Sequence, residues 1–190
     1  DLSLFSSVDR AILAEKKIVL PANFSVEETG QTLKANALLK AKAFAEQVSL
    51  PTIADDSGLE LAAKPGFPGV HSDRWFQGTA TERNLALLDL VKNLSSRAAR
   101  FSTVICLHLP QSNKSYFFVG ELQGKIATEI RGDEEAGFGY DPIFIPKGYQ
   151  QTFAELGLAV KNRISHRAKA LAKLRAFLQT AQAREILCSK

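Results

Sequence analysis

Two adjacent carboxylates, Asp55 and Asp56, have residue types and spacing suited to chemistry. They follow the apolar residues 52–54, which favour a short strand, and precede Ser57 and Gly58, which favour a turn. Adjacent side chains of an extended backbone point in opposite directions, so one carboxylate could support the structure while the other faces a cleft. There it could bind Mg²⁺ or deprotonate a water. Taken alone, the segment is more typical of a polar turn at a strand end.

A second acidic pair, Glu27 and Glu28, precedes a lysine-rich segment that contains Lys40. Acidic residues are common ahead of a helix because they favour the positive end of its dipole. Lysines on such a helix usually face solvent. A site for a metal and a phosphate needs the same residue types, so both interpretations stay open here.

The segment Ser165-His166-Arg167 combines a helix N-cap with basic side chains. His166 and Arg167 then fall in the first helical turn, where positive charge opposes the helix dipole. A bound anion would reverse this penalty, because a helix N-terminus with added positive charge binds phosphate, and Lys161 could contribute. A mildly unfavourable surface arrangement is the alternative.

The segment Phe138-Gly139-Tyr140-Asp141 offers two aromatic rings, a glycine and a carboxylate. An aromatic ring can stack on a purine, and backbone groups or Asp141 can meet its polar edge. Such a loop is more often used for packing, so this signal is weak by itself.

The elements that must position these residues follow from hydrophobic spacing. Apolar residues at intervals of three and four predict helices over residues 32–48 and 166–179. Apolar and β-branched runs at 101–109 and 116–119, separated by a polar turn, predict a hairpin. Prolines and glycines in residues 64–69 predict a loop.

A further helix is expected from about Thr79, because Thr79 and Glu82 have the spacing of a capping box. Its buried face is expected to contain Leu85, Leu88 and Val91. Helices and strands within one domain indicate an α/β or α+β fold, and the pattern alone leaves the sheet topology open.

Composition excludes several classes of protein. A length of 190 residues suits one domain, expected to span residues 1–190, and 45% hydrophobic with 23% charged residues is typical of a globular protein. No run approaches the roughly 20 apolar residues of a membrane helix. The net charge of +4 is spread along the chain without a basic arm or an aromatic-basic repeat, so we expect no nucleic-acid partner.

Cys106 and Cys188 have neither metal-ligand spacing nor the density of a disulfide scaffold, which favours a cytoplasmic protein. The start of the chain lacks the pattern of a signal peptide. The sequence has no methionine and opens on Asp1, so we expect it to begin inside a longer gene product or after processing.

The order of these motifs resembles the inosine triphosphate pyrophosphatase family, from about Glu27 to the C-terminal helix. The matching blocks are Glu27-Glu28-Thr29-Gly30, Asn36-Ala37-Leu38-Leu39-Lys40, Ala54-Asp55-Asp56-Ser57-Gly58-Leu59, Pro68-Gly69-Val70-His71-Ser72, Gly137-Phe138-Gly139-Tyr140-Asp141-Pro142 and Lys161-Asn162-Arg163-Ile164-Ser165-His166-Arg167. The resemblance implies an α/β fold in which helices flank an elongated mixed β-sheet and a nucleotide cleft separates two lobes. It also implies a homodimer.

The implied activity is hydrolysis of deaminated purine nucleoside triphosphates (ITP, dITP and XTP) to the monophosphate and pyrophosphate. By similarity Asp56 would activate water and bind Mg²⁺ together with Glu27, and Asp55 would support it or share the task. The residues implied to hold the nucleotide are Lys40, on phosphate, with Ser57, Phe138, Gly139, Tyr140, Asp141, Lys161, His166 and Arg167. An aromatic ring of the loop would stack on the base, while His166 and Arg167 would read its 6-oxo edge.

One expected segment is missing from the sequence. Members of that family begin with a strand and a phosphate loop of the form Thr/Ser-Gly-Asn-x-x-Lys, and the nearest segment, residues 18–23, lacks the glycine and the lysine. We therefore expect an N-terminally truncated domain. A catalytically silent nucleotide-binding protein of the same fold is the alternative function.

Overall fold

The computed structural model describes residues 25–132 and 139–188. The strands are β1 (Thr52–Leu61), β2 (Lys64–Pro68), β3 (Ala98–Leu109), β4 (Lys114–Ile126) and β5 (Phe144–Pro146). The helices are α1 (Leu33–Val48), α2 (Ala80–Lys92), α3 (Phe153–Ile164), α4 (His166–Leu178) and α5 (Ala181–Cys188), and a 3-10 turn spans Gly69–His71. None of these helices is both long and apolar enough to cross a membrane.

The five described strands form one sheet in the order β2-β1-β3-β4-β5. Every neighbouring pair is antiparallel, so the described strands contain no parallel pair of the kind an elongated mixed sheet would include. The α/β class with helices flanking a sheet is confirmed. Residues 18–23, the nearest match to the phosphate loop that was expected to be missing, lie outside the described residues.

Helices cover both faces of the central strands because side chains alternate along β3. Val104 and Cys106 pack against α1, whose small residues allow a close approach to the sheet. Ile105 and Leu107 point the other way and join the cluster that contains Leu174 of α4. The two faces of β3 therefore pack against two different helices.

The capping signals at Thr79 and Ser165 were predicted correctly, and Thr32, expected as the first residue of its helix, acts as a further cap. The Thr32 side chain accepts the Ala35 N–H at the start of α1. Thr79 and Glu82 form the expected capping box at the start of α2. Ser165 accepts the Ala168 N–H and so caps α4. The hairpin is confirmed as β3 and β4, and both strands are longer than their apolar runs indicated.

The prediction that residues 55–58 form a turn at a strand end was wrong. They lie within β1, whose ten residues all pair with β3, Asp55 opposite Ile105 and Asp56 opposite Val104. The loop predicted at residues 64–69 is also partly wrong, since β2 covers most of it. An edge strand tolerates proline because one side of its backbone needs no partner.

The buried face of α2 differs from the prediction at one position. Leu85 is 53% exposed, whereas Leu88 and Val91 are buried as expected. The face that meets the core follows the helical spacing of Asn84, Leu87, Leu88 and Val91. Reading apolar residues alone missed this face because a buried polar residue, Asn84, belongs to it.

Candidate active site

A cleft of about 430 Å³ brings the separate motifs together, which is an ordinary size for a ligand site. The sequence-predicted residues that line it are Lys40, Asp55, Asp56, Ser57, Gly139, Tyr140, Asp141, Lys161, His166 and Arg167. Phe138 lies outside the described residues.

One part of the cleft is the carboxylate cluster, formed by Glu28, Lys40 and Asp56. The ammonium nitrogen of Lys40 donates to Glu28 Oε1 at 2.7 Å and to Asp56 Oδ1 at 2.8 Å. The second oxygen of each carboxylate has its own donor. Asn36 Nδ2 donates to Asp56 Oδ2 at 3.3 Å, and Arg74 Nη1 donates to Glu28 Oε2 at 3.2 Å. Both oxygens of each carboxylate therefore accept a hydrogen bond.

Helix α1 positions the centre of this cluster. Asn36 and Lys40 lie one turn apart on the same face, which meets the Asp56 side of β1. Asn36 is fully buried, and its amide oxygen is also paired, since Oδ1 accepts the Gly30 N–H at 2.8 Å. A Cβ at residue 30 would come within 2.5 Å of that oxygen, so this approach requires glycine. Gly30 thus ties the segment that carries Glu28 to α1.

Electrostatics distinguish the two carboxylates. Burial raises the pKa of Asp56 above the ordinary aspartate value, and the hydrogen bond from Lys40 offsets this only in part. Burial also acts on Glu28, but hydrogen bonds from Lys40 and Arg74 outweigh it and lower its pKa. When the surroundings move the pKa values of two neighbouring acids in opposite directions, the acid with the lower pKa stays an anion and the acid with the higher pKa can accept a proton. The arrangement therefore favours Asp56 as the proton acceptor.

The carboxylate beside Asp56 is Glu28, whereas the sequence interpretation had chosen Glu27. Glu27 is exposed and does not line the cleft. Exposure alternates along residues 25–30, so neighbouring side chains point in opposite directions. Sequence pattern could not decide which of two adjacent glutamates faces inward.

Asp55 points to the other face of β1, as expected for adjacent residues of a strand. Its Oδ2 accepts from Arg167 Nη2 at 2.9 Å and from Arg167 Nε at 3.2 Å. Ser57 Oγ lies 3.3 Å from the same oxygen and 2.6 Å from Thr103 Oγ1. Asp55 therefore orients Arg167, and Asp56 alone belongs to the carboxylate cluster.

The other part of the cleft is the histidine cluster, formed by Asp141, Lys161, His166 and Arg167. Lys161 donates to Asp141 Oδ2. The His166 ring stacks on Phe101, with centroids 4.5 Å apart and planes at 9°. Burial lowers the His166 pKa to about 3, and the nearby cations Arg167 and Lys161 add to this effect. His166 is consequently neutral at physiological pH.

Tyr140 is mainly a packing residue, although it lines the cleft. It is 4% exposed and packs in the main core. Its hydroxyl donates to the Ser72 carbonyl and accepts from Trp75 Nε1. A ring held in this way has little free surface to stack on a base.

Comparison with known proteins identifies the family. The sequence profile of the Ham1 family matches residues 5–177. The chain belongs to the Ham1 family. A dITP/XTP pyrophosphatase of Porphyromonas gingivalis is 47% identical over 161 residues, covering 83% of this chain and 80% of the relative. Another, from Acholeplasma laidlawii, is 41% identical over 166 residues, covering 85% and 82%.

Solved structures of Ham1 proteins have the same fold. The Ham1 protein of Coxiella burnetii superposes with a TM-score of 0.77 at 37% identity, covering 92% of this chain and 94% of the other. The Staphylococcus aureus Ham1 protein gives 0.79 at 36% identity, covering 90% and 91%. The family resemblance inferred from the motifs is thereby confirmed.

Sequence reasoning missed three polar residues that build the site of this Ham1-family protein. Asn36 and Arg74 hold the carboxylate cluster, as described above. Asn84 of α2 donates from Nδ2 to the Gly139 carbonyl at 3.0 Å and so fixes the start of the 139–142 turn. Asn36 and Lys40 share helical spacing within one matched block, which was the available signal. Arg74 and Asn84 act across long stretches of sequence and gave none.

The site offers limited metal ligands from the protein itself. The described part of the Ham1-family chain contains no group of three or more His, Cys, Asp and Glu side chains arranged to hold a metal ion. Mg²⁺ commonly binds through one or two carboxylates and completes its shell with water and substrate phosphates. Glu28 and Asp56 can supply that number of ligands.

Proposed function

We propose that this protein hydrolyses deaminated purine nucleoside triphosphates, such as dITP, ITP and XTP, to the nucleoside monophosphate and pyrophosphate. The observation that carries the proposal is the pairing of family membership with an intact carboxylate cluster in the cleft. Relatives that share up to 47% identity over most of the chain are named dITP/XTP pyrophosphatases. The reaction therefore belongs to the hydrolases that cleave the bond between the α- and β-phosphates.

Asp56 would act as the general base for the attacking water. Its burial and raised pKa make it a better proton acceptor than an exposed aspartate, and Asn36 fixes its orientation. Lys40 contacts Asp56 and Arg74 contacts Glu28, and both basic side chains line the cleft and would neutralise phosphate oxygens. Water would attack the α-phosphorus, pyrophosphate would leave, and positioning with charge neutralisation would supply most of the acceleration.

We propose Mg²⁺ as the cofactor, held by Glu28 and Asp56. These residues fit a cation, because the Lys40 ammonium already lies 2.7 Å and 2.8 Å from one oxygen of each. Both donors are carboxylate oxygens, which Mg²⁺ prefers. When bound, the ion supplies charge neutralisation at the triphosphate.

The histidine cluster would read the base. Arg167 is held by Asp55, and neutral His166 offers one donor and one acceptor. Donors aimed at a 6-oxo group are mismatched to the amino group of adenine. An unpaired buried donor costs about 1–3 kcal/mol, which is enough for selectivity against adenine nucleotides. Lys161, Asp141 and Ser57 would hold the rest of the nucleotide.

The catalytically silent alternative is not favoured. The described residues retain Asp56, Lys40 and a second carboxylate in mutual contact. Relatives with enzyme names align over most of the chain.

The test is a specificity panel. We expect kcat/KM for pyrophosphate release, measured with Mg²⁺, to be at least about 100-fold higher for dITP and XTP than for dATP, since two unmet hydrogen bonds cost this much. Release of pyrophosphate from none of these substrates would contradict the proposed function. Equal values for all of them would contradict base recognition by the histidine cluster.

The homodimer, the cytoplasmic location and a single domain over residues 1–190 also remain proposals. Light scattering during gel filtration tests the first, with a mass of twice 20.8 kDa expected for this chain.

A further inference from the structure

The carboxylate cluster already contains a cation, the Lys40 ammonium. Its nitrogen lies 2.7 Å from Glu28 Oε1 and 2.8 Å from Asp56 Oδ1. The Lys40 side chain is 20% exposed and that of Asp56 is 9% exposed, so water screens this contact only in part. The ammonium therefore lies between the two oxygens that would receive a divalent cation.

The two carboxylates are held in this orientation by residues other than Lys40. Asn36 binds the second oxygen of Asp56, and Arg74 binds the second oxygen of Glu28. Arg74 also donates to the Glu28 backbone carbonyl at 3.2 Å. Both oxygens that face Lys40 would consequently remain in place, close to one another, if the ammonium moved away.

We propose that Lys40 acts as an internal cation that keeps divalent metal out of the nucleotide-free site. On nucleotide binding its ammonium transfers to phosphate oxygens, and the position between Glu28 and Asp56 opens to the metal. This inference rests on the proposed function for the identity of the incoming anion. It assigns Lys40 control over metal binding in addition to contact with phosphate.

Electrostatics explain why the two cations exclude each other. Two positive charges a few ångströms apart repel far more strongly in a half-buried site than in water. A triphosphate removes the conflict, since its oxygens give the ammonium a new partner within reach of the flexible lysine stem. Metal and nucleotide are then expected to bind together.

The test measures Mn²⁺ binding to nucleotide-free protein by electron paramagnetic resonance. Mn²⁺ accepts the same carboxylate and water ligands as Mg²⁺. We expect Lys40→Gln and Lys40→Met each to bind Mn²⁺ at least about tenfold more tightly than the unmodified protein, equivalent to ~1.4 kcal/mol. Methionine keeps the unbranched stem, so it guards against misfolding of the glutamine variant. Circular dichroism checks that both variants are folded.

Two controls make the result specific. Lys34→Gln removes one positive charge from an exposed site on the same helix and should leave Mn²⁺ affinity unchanged. Glu28→Gln added to Lys40→Gln should remove the gained affinity. The inference is overturned if folded Lys40 variants bind Mn²⁺ no more tightly, if Lys34→Gln gains as much, or if the double variant keeps the gain.

These outcomes are separate from those of the proposed function, because Mn²⁺ binding requires no turnover. If the unmodified protein releases pyrophosphate but the Lys40 variants bind Mn²⁺ no more tightly, only the inference that Lys40 excludes metal is overturned. The gain in affinity without pyrophosphate release would overturn the proposed reaction and leave the internal cation in place.

Discussion

The carboxylate cluster and the histidine cluster solve different problems within one cleft. In the carboxylate cluster each carboxylate oxygen has a donor, and three of these four contacts involve a charged donor. In the histidine cluster a buried neutral ring stacks on Phe101, and its Nδ1 has no hydrogen-bond partner among the described residues. The first arrangement concentrates charge, and the second leaves one directional group, His166 Nδ1, without a partner among the described residues.

This difference indicates how rate and selectivity are divided. Phosphoryl chemistry needs neutralised charge and a placed base, which the carboxylate cluster provides. Recognition of a base needs unpaired donors and acceptors that penalise the wrong partner. Changes in the carboxylate cluster should therefore lower turnover for every substrate, whereas changes in the histidine cluster should alter the ratio between substrates.

The largest effect is expected for Asp56→Asn. The amide keeps the size of the side chain but cannot accept the proton of water, so kcat with dITP should fall by about 1,000-fold or more. Urea unfolding should show a free energy of unfolding close to that of the unmodified protein, because burial penalises the ionised aspartate. Turnover retained by a folded variant would move the base elsewhere.

A matched pair distinguishes the two adjacent glutamates. Glu28→Gln should lower kcat/KM for dITP by about 100-fold, since it removes one of the two carboxylates proposed to hold the Mg²⁺ that neutralises the triphosphate. Glu27→Gln should change it little, because Glu27 is exposed outside the cleft lining. The same titrations with Mg²⁺ show whether the loss follows metal affinity. A larger loss in the Glu27 variant would restore the assignment made from sequence.

Arg167→Ala tests selectivity. It should reduce the preference for dITP over dATP by about tenfold or more, which corresponds to one lost hydrogen bond to the 6-oxo group. Arg167→Lys is the control for charge, because lysine keeps the charge without the fork that binds Asp55. Equal losses of kcat/KM on both nucleotides would show that Arg167 contacts phosphate or sugar only.

The smallest effect concerns pH and stability. The His166 pKa is about 3 in the folded protein and 6.5 for an ordinary histidine, so between these values the unfolded chain binds more protons. The free energy of unfolding should therefore fall as pH drops below 6.5, by at most ~1.4 kcal/mol per pH unit from this group. In His166→Gln, the free energy of unfolding measured by urea titration should depend less steeply on pH. An unchanged slope, equal to that of the exposed control His71→Gln, would refute a buried neutral His166.

Much of the fold could be predicted because its signals are local. The caps at Thr79 and Ser165, and the hairpin of β3 and β4, follow from residues within a few positions of one another. The strand through residues 55–58 could not be predicted in this way. Its extended form depends on pairing with β3, some fifty residues later, which overrides the local preference for a turn.

The candidate site shows the same limit. Motif order located most of the cleft, from Lys40 to Arg167, but spacing could not choose between Glu27 and Glu28. Arg74 was invisible to sequence reasoning, because its partner Glu28 lies 46 residues away. Contacts between residues far apart in sequence, such as Arg74 and Glu28, come from tertiary packing, and the spacing of apolar residues does not encode them.

Hydrolysis of dITP in ¹⁸O-labelled water, followed by ³¹P nuclear magnetic resonance and mass spectrometry, tests attack at the α-phosphorus most directly. The protein should release unlabelled pyrophosphate and dIMP that carries one ¹⁸O, because water held by Asp56 attacks the α-phosphorus. Formation of dIDP and orthophosphate would contradict the reaction, and pyrophosphate that carries the label would contradict attack at the α-phosphorus and the role given to the carboxylate cluster.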